Sequence, residues 1–268
     1  MTVEESRTAA LLKLGQEIES LTEPQIEWIT RIVEQFKLPK EFSRNPDSNL
    51  IDGAWLNNFG NVLMVHHAMS DAPFSKEKFE FGFIFASRKA GLSASKPSGR
   101  TNRGHDVTIN AVPVSLKTQA DKGIVEDLIH ISKFMELGKG EWKLELLLEH
   151  FLTHMKAYER IFTLRAFIKA NTSMIRYELV EIPKALLQRA KKGALRFAVG
   201  SKQNPVPGYC DVLDEKGKLA FQLYFDGGTE RKLQVRQIRL DLCTLHGVWT
   251  FKLGSVFDTP PGPQGQLA

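Results

Sequence analysis

Two short extended segments, Asp106-Val-Thr-Ile109 and Val112-Pro-Val-Ser-Leu-Lys117, flank Asn110-Ala111. This pair limits what the chain can fold into more than any other feature does. Asparagine tolerates the left-handed backbone that a two-residue turn demands, so the segments read as a β-hairpin. In the register set by that turn, Ile109 faces Val112 and Asp106 faces Ser115. Side chains alternate along a strand, so Lys117 rejoins the face of Ser115 while Val114 and Leu116 point to the other side. A carboxylate, a hydroxyl and an ammonium thus converge. An acid and a lysine on one rigid patch can bind a divalent cation and a phosphate together. Pro113 cannot donate to a ladder and marks an edge or a bulge.

Around this hairpin the chain has 268 residues, enough to bury a full core, and 42% hydrophobic and 25% charged content, as in ordinary globular proteins. No apolar run approaches the 18 residues a membrane span requires. The start, Met-Thr-Val-Glu-Glu-Ser-Arg, is acidic and lacks the apolar stretch of a secretory signal. Two cysteines, Cys210 and Cys243, do not make a disulfide framework, which leads us to expect a reducing cytosol. The net charge of +5 suits a polyanionic partner. Neither a Gly-x-Gly-x-x-Gly nor a Walker-type loop occurs, so no nucleotide cofactor is expected.

Periodicity predicts helices over Thr8–Leu21 and Pro24–Phe36, a loop-rich stretch from Lys37 to Asn58, and a strand over Asn61–His67. Ser75 is expected to cap a helix over Lys76–Ala90. A basic loop, Gly91 to Gly104, precedes the hairpin, and a helix from Gly123 to Leu137 follows it. A second helix covers Glu141–Tyr158, with Leu144, Leu147, Leu148, Phe151 and Leu152 as its apolar stripe. Strands are expected over Ile161–Ile168 and Met174–Val180, then a short helix opened by Pro183. From Gly193 onward the pattern is mainly β: Leu195–Val199, Leu219–Phe225, Lys232–Leu240 and Val248–Leu253. The tail Pro260-Pro-Gly-Pro-Gln-Gly has a disordered composition.

The order helix-Glu80, strand-Asp106, strand-Lys117 resembles the PD-(D/E)XK nuclease superfamily, and within it the type II restriction endonucleases. That pattern has an Asp on one strand and (Asp/Glu)-x-Lys on the next. Here Ser115 stands in place of the second acid, and His105 in place of the frequent Pro. The resemblance implies an α/β fold with a mixed β-sheet core flanked by helices. We expect one domain: a helical and loop extension over 1–58, a catalytic core over 76–200, a β-rich DNA-contacting part over 201–255 and a flexible tail over 256–268. It further implies a Mg²⁺-dependent, sequence-specific endonuclease acting on double-stranded DNA as a homodimer. A repair, recombination or phage DNA-processing nuclease, and a non-catalytic DNA-binding protein on a decayed nuclease core, are the alternatives.

Phosphodiester hydrolysis needs an activated water and neutralised phosphate charge. Asp106 is the expected metal ligand, and Lys117 the group that stabilises developing charge or orients the water. Ser115 leaves the set one carboxylate short. Glu80, in the aromatic run Phe79-Glu-Phe-Gly-Phe-Ile-Phe85, is the first candidate to complete it, because a carboxylate there is costly without a cation. A structural salt bridge with Arg88 is the plainer account, and Glu126 and Glu136 are the substitutes. His150 and His154, and the set Cys210, Cys243 and His246, have spacings compatible with zinc, but packing explains them better. For DNA, Arg100 and Arg103 lead into the Asp106 strand and suit the phosphate backbone. Lys232, Gln234 and Arg236, followed by Arg239, form a strand face with the side-chain types that read base edges in the major groove. A solvated outer face is the competing account of that strand.

Overall fold

The computed structural model describes residues 2–97, 104–120, 123–168 and 173–254. Two helices open the chain, α1 (Val3–Ile18) and α2 (Glu23–Lys37). Both begin at a Thr whose backbone N–H donates to the side chain three residues on, Glu5 at 2.7 Å and Gln25 at 2.8 Å. β1 (Lys40–Arg44) precedes α3 (Gly53–His67) and α4 (Lys76–Lys89). Then come β2 (Ala94–Ser95), β3 (Val107–Ile109), β4 (Val112–Gln119), β5 (Leu128–Glu136) and α5 (Leu144–His154). The chain continues through β6 (Arg160–Ile168), β7 (Met174–Glu181), α6 (Lys184–Gln188) and β8 (Ala194–Phe197). β9 (Gly208–Leu213), β10 (Leu219–Asp226), β11 (Lys232–Arg239) and β12 (Thr244–Lys252) complete it.

The strands form two sheets. The larger has the order β1-β12-β7-β6-β4-β3-β2, and the smaller β5-β11-β10-β9-β8. β4 and β6 run parallel, whereas every other pair is antiparallel. The fold is thus the expected α/β type, with a mixed sheet flanked by helices, helices first and strands last. Alternation along β6 defines its layers. Phe162, Leu164 and Ala166 enter a core with α3, α4 and Trp249, while Ile161 enters a second core with α5, α6 and the smaller sheet. The smaller sheet takes β5 from the middle of the chain and β8 to β11 from later, and β12 returns to the larger sheet.

Two segments differ from the periodicity reading. Asn61–His67 is the second half of α3, not a strand. Trp55, Phe59 and Leu63 recur at helical spacing, and Asp52 Oδ1 caps the start by accepting from Trp55 N at 2.7 Å. Gly60 lets that helix lie against β1, where an added Cβ would fall 2.3 Å from the Phe42 ring. Residues 128–136 are strand β5, not helix. Ile129 and Ile131 alternate into the core, and a register break against β11 then admits Phe134. β1 and β2, inside stretches read as loop, and β9 are additional strands.

Candidate active site

The hairpin forms in the expected register, with Ile109 opposite Val112 and Val107 opposite Val114. Asn110 and Ala111 both have positive φ, 46° and 65°, as a primed two-residue turn requires. Ser93 N donates to Asn110 Oδ1 at 2.9 Å and Asn110 N to Ser93 O at 2.8 Å, which holds the strained turn in place. Just before β3, Asp106 N donates to Val114 O at 2.9 Å, so Asp106 sits beside Ser115.

Asp106 Oδ2 accepts from Leu116 N at 2.6 Å and from Ser115 Oγ at 3.2 Å. Its other oxygen, Oδ1, accepts from Lys76 Nζ at 2.7 Å. Burial alone would raise the Asp106 pKa, but Lys117, Lys76 and the Leu116 amide hold it below the ordinary carboxylate range. Ser115 therefore orients the acid it stands beside.

Lys117 lies on the second-core face of β4, beside Thr163 of β6 in parallel register. Only 8% of it is exposed, and its Nζ stands 5.2 Å from the centre of the Phe134 ring. Burial, with Lys76 nearby, pushes its pKa down to about 8 against the pull of Asp106 and Glu80. Around the lysine, the His154 ring packs edge-on against Phe134 and Tyr158. Tyr158 Oη and Thr163 Oγ1 are buried without a hydrogen-bond partner among the described residues. Burial and the Lys117 charge also hold the His154 pKa down. Phe134, Tyr158 and Thr163 carried no sequence signal, because β5, the turn after α5 and β6 meet here only through tertiary folding.

Glu80 lies on α4, whose start Ser75 caps as expected by accepting from Lys78 N. Its Oε1 is 3.8 Å from Lys76 Nζ and its Oε2 is 2.9 Å from Lys96 Nζ, with 14% of the side chain exposed. The cations that pair with this carboxylate are two lysines. Arg88 instead donates to Ala94 O at 2.7 Å. Lys76 thus joins Glu80 to Asp106, and Glu80 belongs to the same charged cluster as Lys117. Glu126 is largely exposed and pairs with Arg176, and Glu136, equally exposed, pairs with Lys133. Neither is among the ionic partners of Asp106. Two hard carboxylates match the needs of Mg²⁺, which binds through one or two carboxylates and keeps water and phosphate ligands. Among the described residues no three His, Cys, Asp or Glu side chains cluster as a metal site.

The other candidates are spread over the molecule. His150 is exposed, whereas His154 lies near Lys117. Cys210 Sγ donates to Ala190 O, Cys243 Sγ to Arg239 O, and His246 pairs with Ser48 and Glu181, so these three do not converge. On β11, Lys232, Gln234 and Arg236 share the outer face of the smaller sheet. A bulge at Gln237, with φ 53°, separates buried Val235 from buried Ile238 and returns Arg239 to that same face. Arg236 stacks 3.7 Å above the Tyr224 ring and donates from Nε to Gln234 Oε1 at 2.9 Å. Lys232 pairs with Glu230, and Arg239 with Asp214 and Asp241. Arg100, Arg103 and the tail 256–268 lie outside the described residues.

A largely buried acid–lysine pair on the two arms of one hairpin, beside a second carboxylate, is the equipment of a phosphodiester hydrolase, and comparison with known proteins agrees. The type II site-specific deoxyribonuclease family named for SmaI matches residues 14–251. The type II restriction enzyme SmaI of Serratia marcescens is 48% identical over 218 residues, which cover 81% of this chain and 87% of that enzyme. No solved structure matches. No helix among the described residues is long and apolar enough to cross a membrane. The chain belongs to the SmaI family of type II site-specific deoxyribonucleases and is a sequence-specific DNA endonuclease.

Proposed function

We propose that this endonuclease hydrolyses double-stranded DNA through Asp106, Glu80, Ser115 and Lys117, with Mg²⁺ as cofactor, as a homodimer in the prokaryotic cytoplasm. Type II restriction enzymes generally use Mg²⁺, and the paired oxygen donors support that choice here. Asp106 and Glu80 would hold the ion. When bound, it neutralises phosphate charge and acidifies the attacking water. Ser115 and the Leu116 amide fix one oxygen of Asp106, which leaves the other turned toward the cluster. Lys117, buried against the Phe134 ring, stabilises charge as it develops on the phosphate or orients the water. Lys232, Gln234, Arg236 and Arg239 are assigned to base edges. Arg236 is the best prepared of them, because stacking on Tyr224 orders its guanidinium before DNA arrives. Arg100 and Arg103 are assigned to the phosphate backbone.

The observation that carries this reading is the joint hold on Asp106: Ser115 and Leu116 on one oxygen, a lysine on the other, and buried Lys117 nearby. Lys117→Ala and Asp106→Ala should each lower single-turnover cleavage by about a hundredfold or more, the typical effect of removing one preorganised charge-stabilising group. Cognate DNA binding, measured by gel shift with Ca²⁺, should change much less, because other residues read the bases. A Lys117→Ala enzyme that keeps about a tenth of wild-type cutting at saturating metal removes the assignment.

A further inference from the structure

Asp106 and Glu80 bring two negative charges into one largely buried cluster, with 17% and 14% of their side chains exposed, where like charges repel strongly. Lys76 relieves that repulsion. It stands one helical turn before Glu80 on α4, 3.8 Å from Glu80 Oε1, and reaches across to Asp106 Oδ1 at 2.7 Å. Among the described residues Lys76 alone forms ion pairs with both carboxylates, since Lys96 reaches only Glu80. The oxygen it takes is the informative detail. Ser115 and Leu116 donate to Oδ2, so Lys76 covers the oxygen on which a cation would bind.

We propose that Lys76 is the resident counter-ion of the metal-free site. It holds Asp106 and Glu80 in ligating positions and gives up Asp106 Oδ1 when a divalent cation enters. A doubly charged ion and an ammonium on that oxygen repel each other. Lys76 is free to leave: 44% of its side chain is exposed, on a flexible four-carbon stem. The released ammonium is then next to the phosphate that the metal and Lys117 engage, so one exchange opens the metal site and adds a cation to the DNA contact. Lys76 is thus a positioning residue in the free enzyme and a phosphate ligand in the complex. This inference rests on Asp106 and Glu80 being the metal ligands.

The test is Mn²⁺ binding to the full-length, DNA-free protein, followed by the electron-spin signal of the free ion. Lys76→Gln should bind Mn²⁺ about tenfold more tightly than wild type, because the competing ammonium is gone. Lys96→Gln, which removes an equal charge but leaves Oδ1 covered, should stay within about twofold. Asp106→Asn should lose the site. Unchanged or weaker binding by Lys76→Gln, beside loss in Asp106→Asn, overturns the counter-ion role and leaves the metal ligands standing. Wild-type binding by Asp106→Asn overturns the ligand assignment and this inference with it. An equal gain in Lys76→Gln and Lys96→Gln reduces Lys76 to a general charge effect and also overturns the proposal. In gel shifts, Lys76→Gln should weaken cognate binding several-fold with Ca²⁺ and leave it unchanged in EDTA. Equal effects in both conditions overturn the phosphate contact.

Discussion

A serine at position 115 changes what Asp106 must do. A second acid there would share the cation. Ser115 instead donates a hydrogen bond to Asp106 and brings no charge of its own, so the second carboxylate must come from elsewhere. Glu80 can supply it, because α4 carries it to Lys76 and hence to Asp106. Glu80→Gln keeps the shape and removes the charge. Cleavage by that variant should collapse at ordinary Mg²⁺ and recover in part at high Mg²⁺, where mass action offsets the lost ligand. Glu126→Gln and Glu136→Gln should give nearly normal curves of rate against Mg²⁺, since both carboxylates lie on the surface with other partners. A normal curve for Glu80→Gln beside a dead Glu126→Gln or Glu136→Gln moves the acid to 126–136. Asp106, Ser115 and Lys117 were legible because a two-residue turn sets their convergence locally. Lys76 was not, since its contact with Asp106 depends on how α4 docks against the hairpin. Tyr158 and Thr163 were hidden for the same reason.

At the scale of elements, three strands of the larger sheet are fastened at one end by a single carboxylate. Glu181, at the end of β7, accepts from Arg160 of β6 through both oxygens, at 2.8 and 2.6 Å, and from His246 Nε2 of β12 at 2.9 Å. The other ring nitrogen of His246, Nδ1, lies 2.8 Å from Ser48 Oγ. Burial would raise the Glu181 pKa, but Arg160 and His246 together lower it from 4.5 to about 2. A carboxylate whose pKa is depressed by folding stabilises the protein above its unfolded value and loses that contribution as pH falls. The network should therefore contribute about 3 kcal/mol near neutrality, lost between pH 4.5 and 2. Urea midpoints measured across that range should fall steeply for wild type and less steeply for Glu181→Gln. Parallel slopes would place the acid sensitivity elsewhere. Helices with caps and strands beside their partners were readable from sequence, as at Ser75 and along the hairpin. β5 was not: it pairs with β11, about a hundred residues away, and its bulge breaks the alternation that would identify it. α3 was obscured because its first half, with Gly53 and Asn57-Asn58, reads as loop, and the apolar run in its second half imitates a strand.

For the whole molecule, the governing fact is one candidate hydrolytic site per chain against two strands of DNA to be cut. Asp106, Lys117 and Glu80 form a single cluster, and α5, the smaller sheet and the β11 face lie on the other side of the larger sheet from α3 and α4. Two copies related by a two-fold axis would offer one cluster to each strand of a symmetric sequence. If the enzyme acts this way, a supercoiled plasmid with one recognition site should pass to the linear form with little nicked circle accumulating. Mixing gives the sharper result. When wild type and Lys117→Ala are unfolded together and refolded in equal amounts, random pairing yields about half mixed dimers, each with one working site. That mixture should accumulate nicked circles well above either parent, and further Lys117→Ala should raise the nicked share as wild-type homodimers become rare. Nicking that does not rise with the proportion of Lys117→Ala would mean that one chain cuts both strands in turn, and the homodimer would then have no part in cleavage.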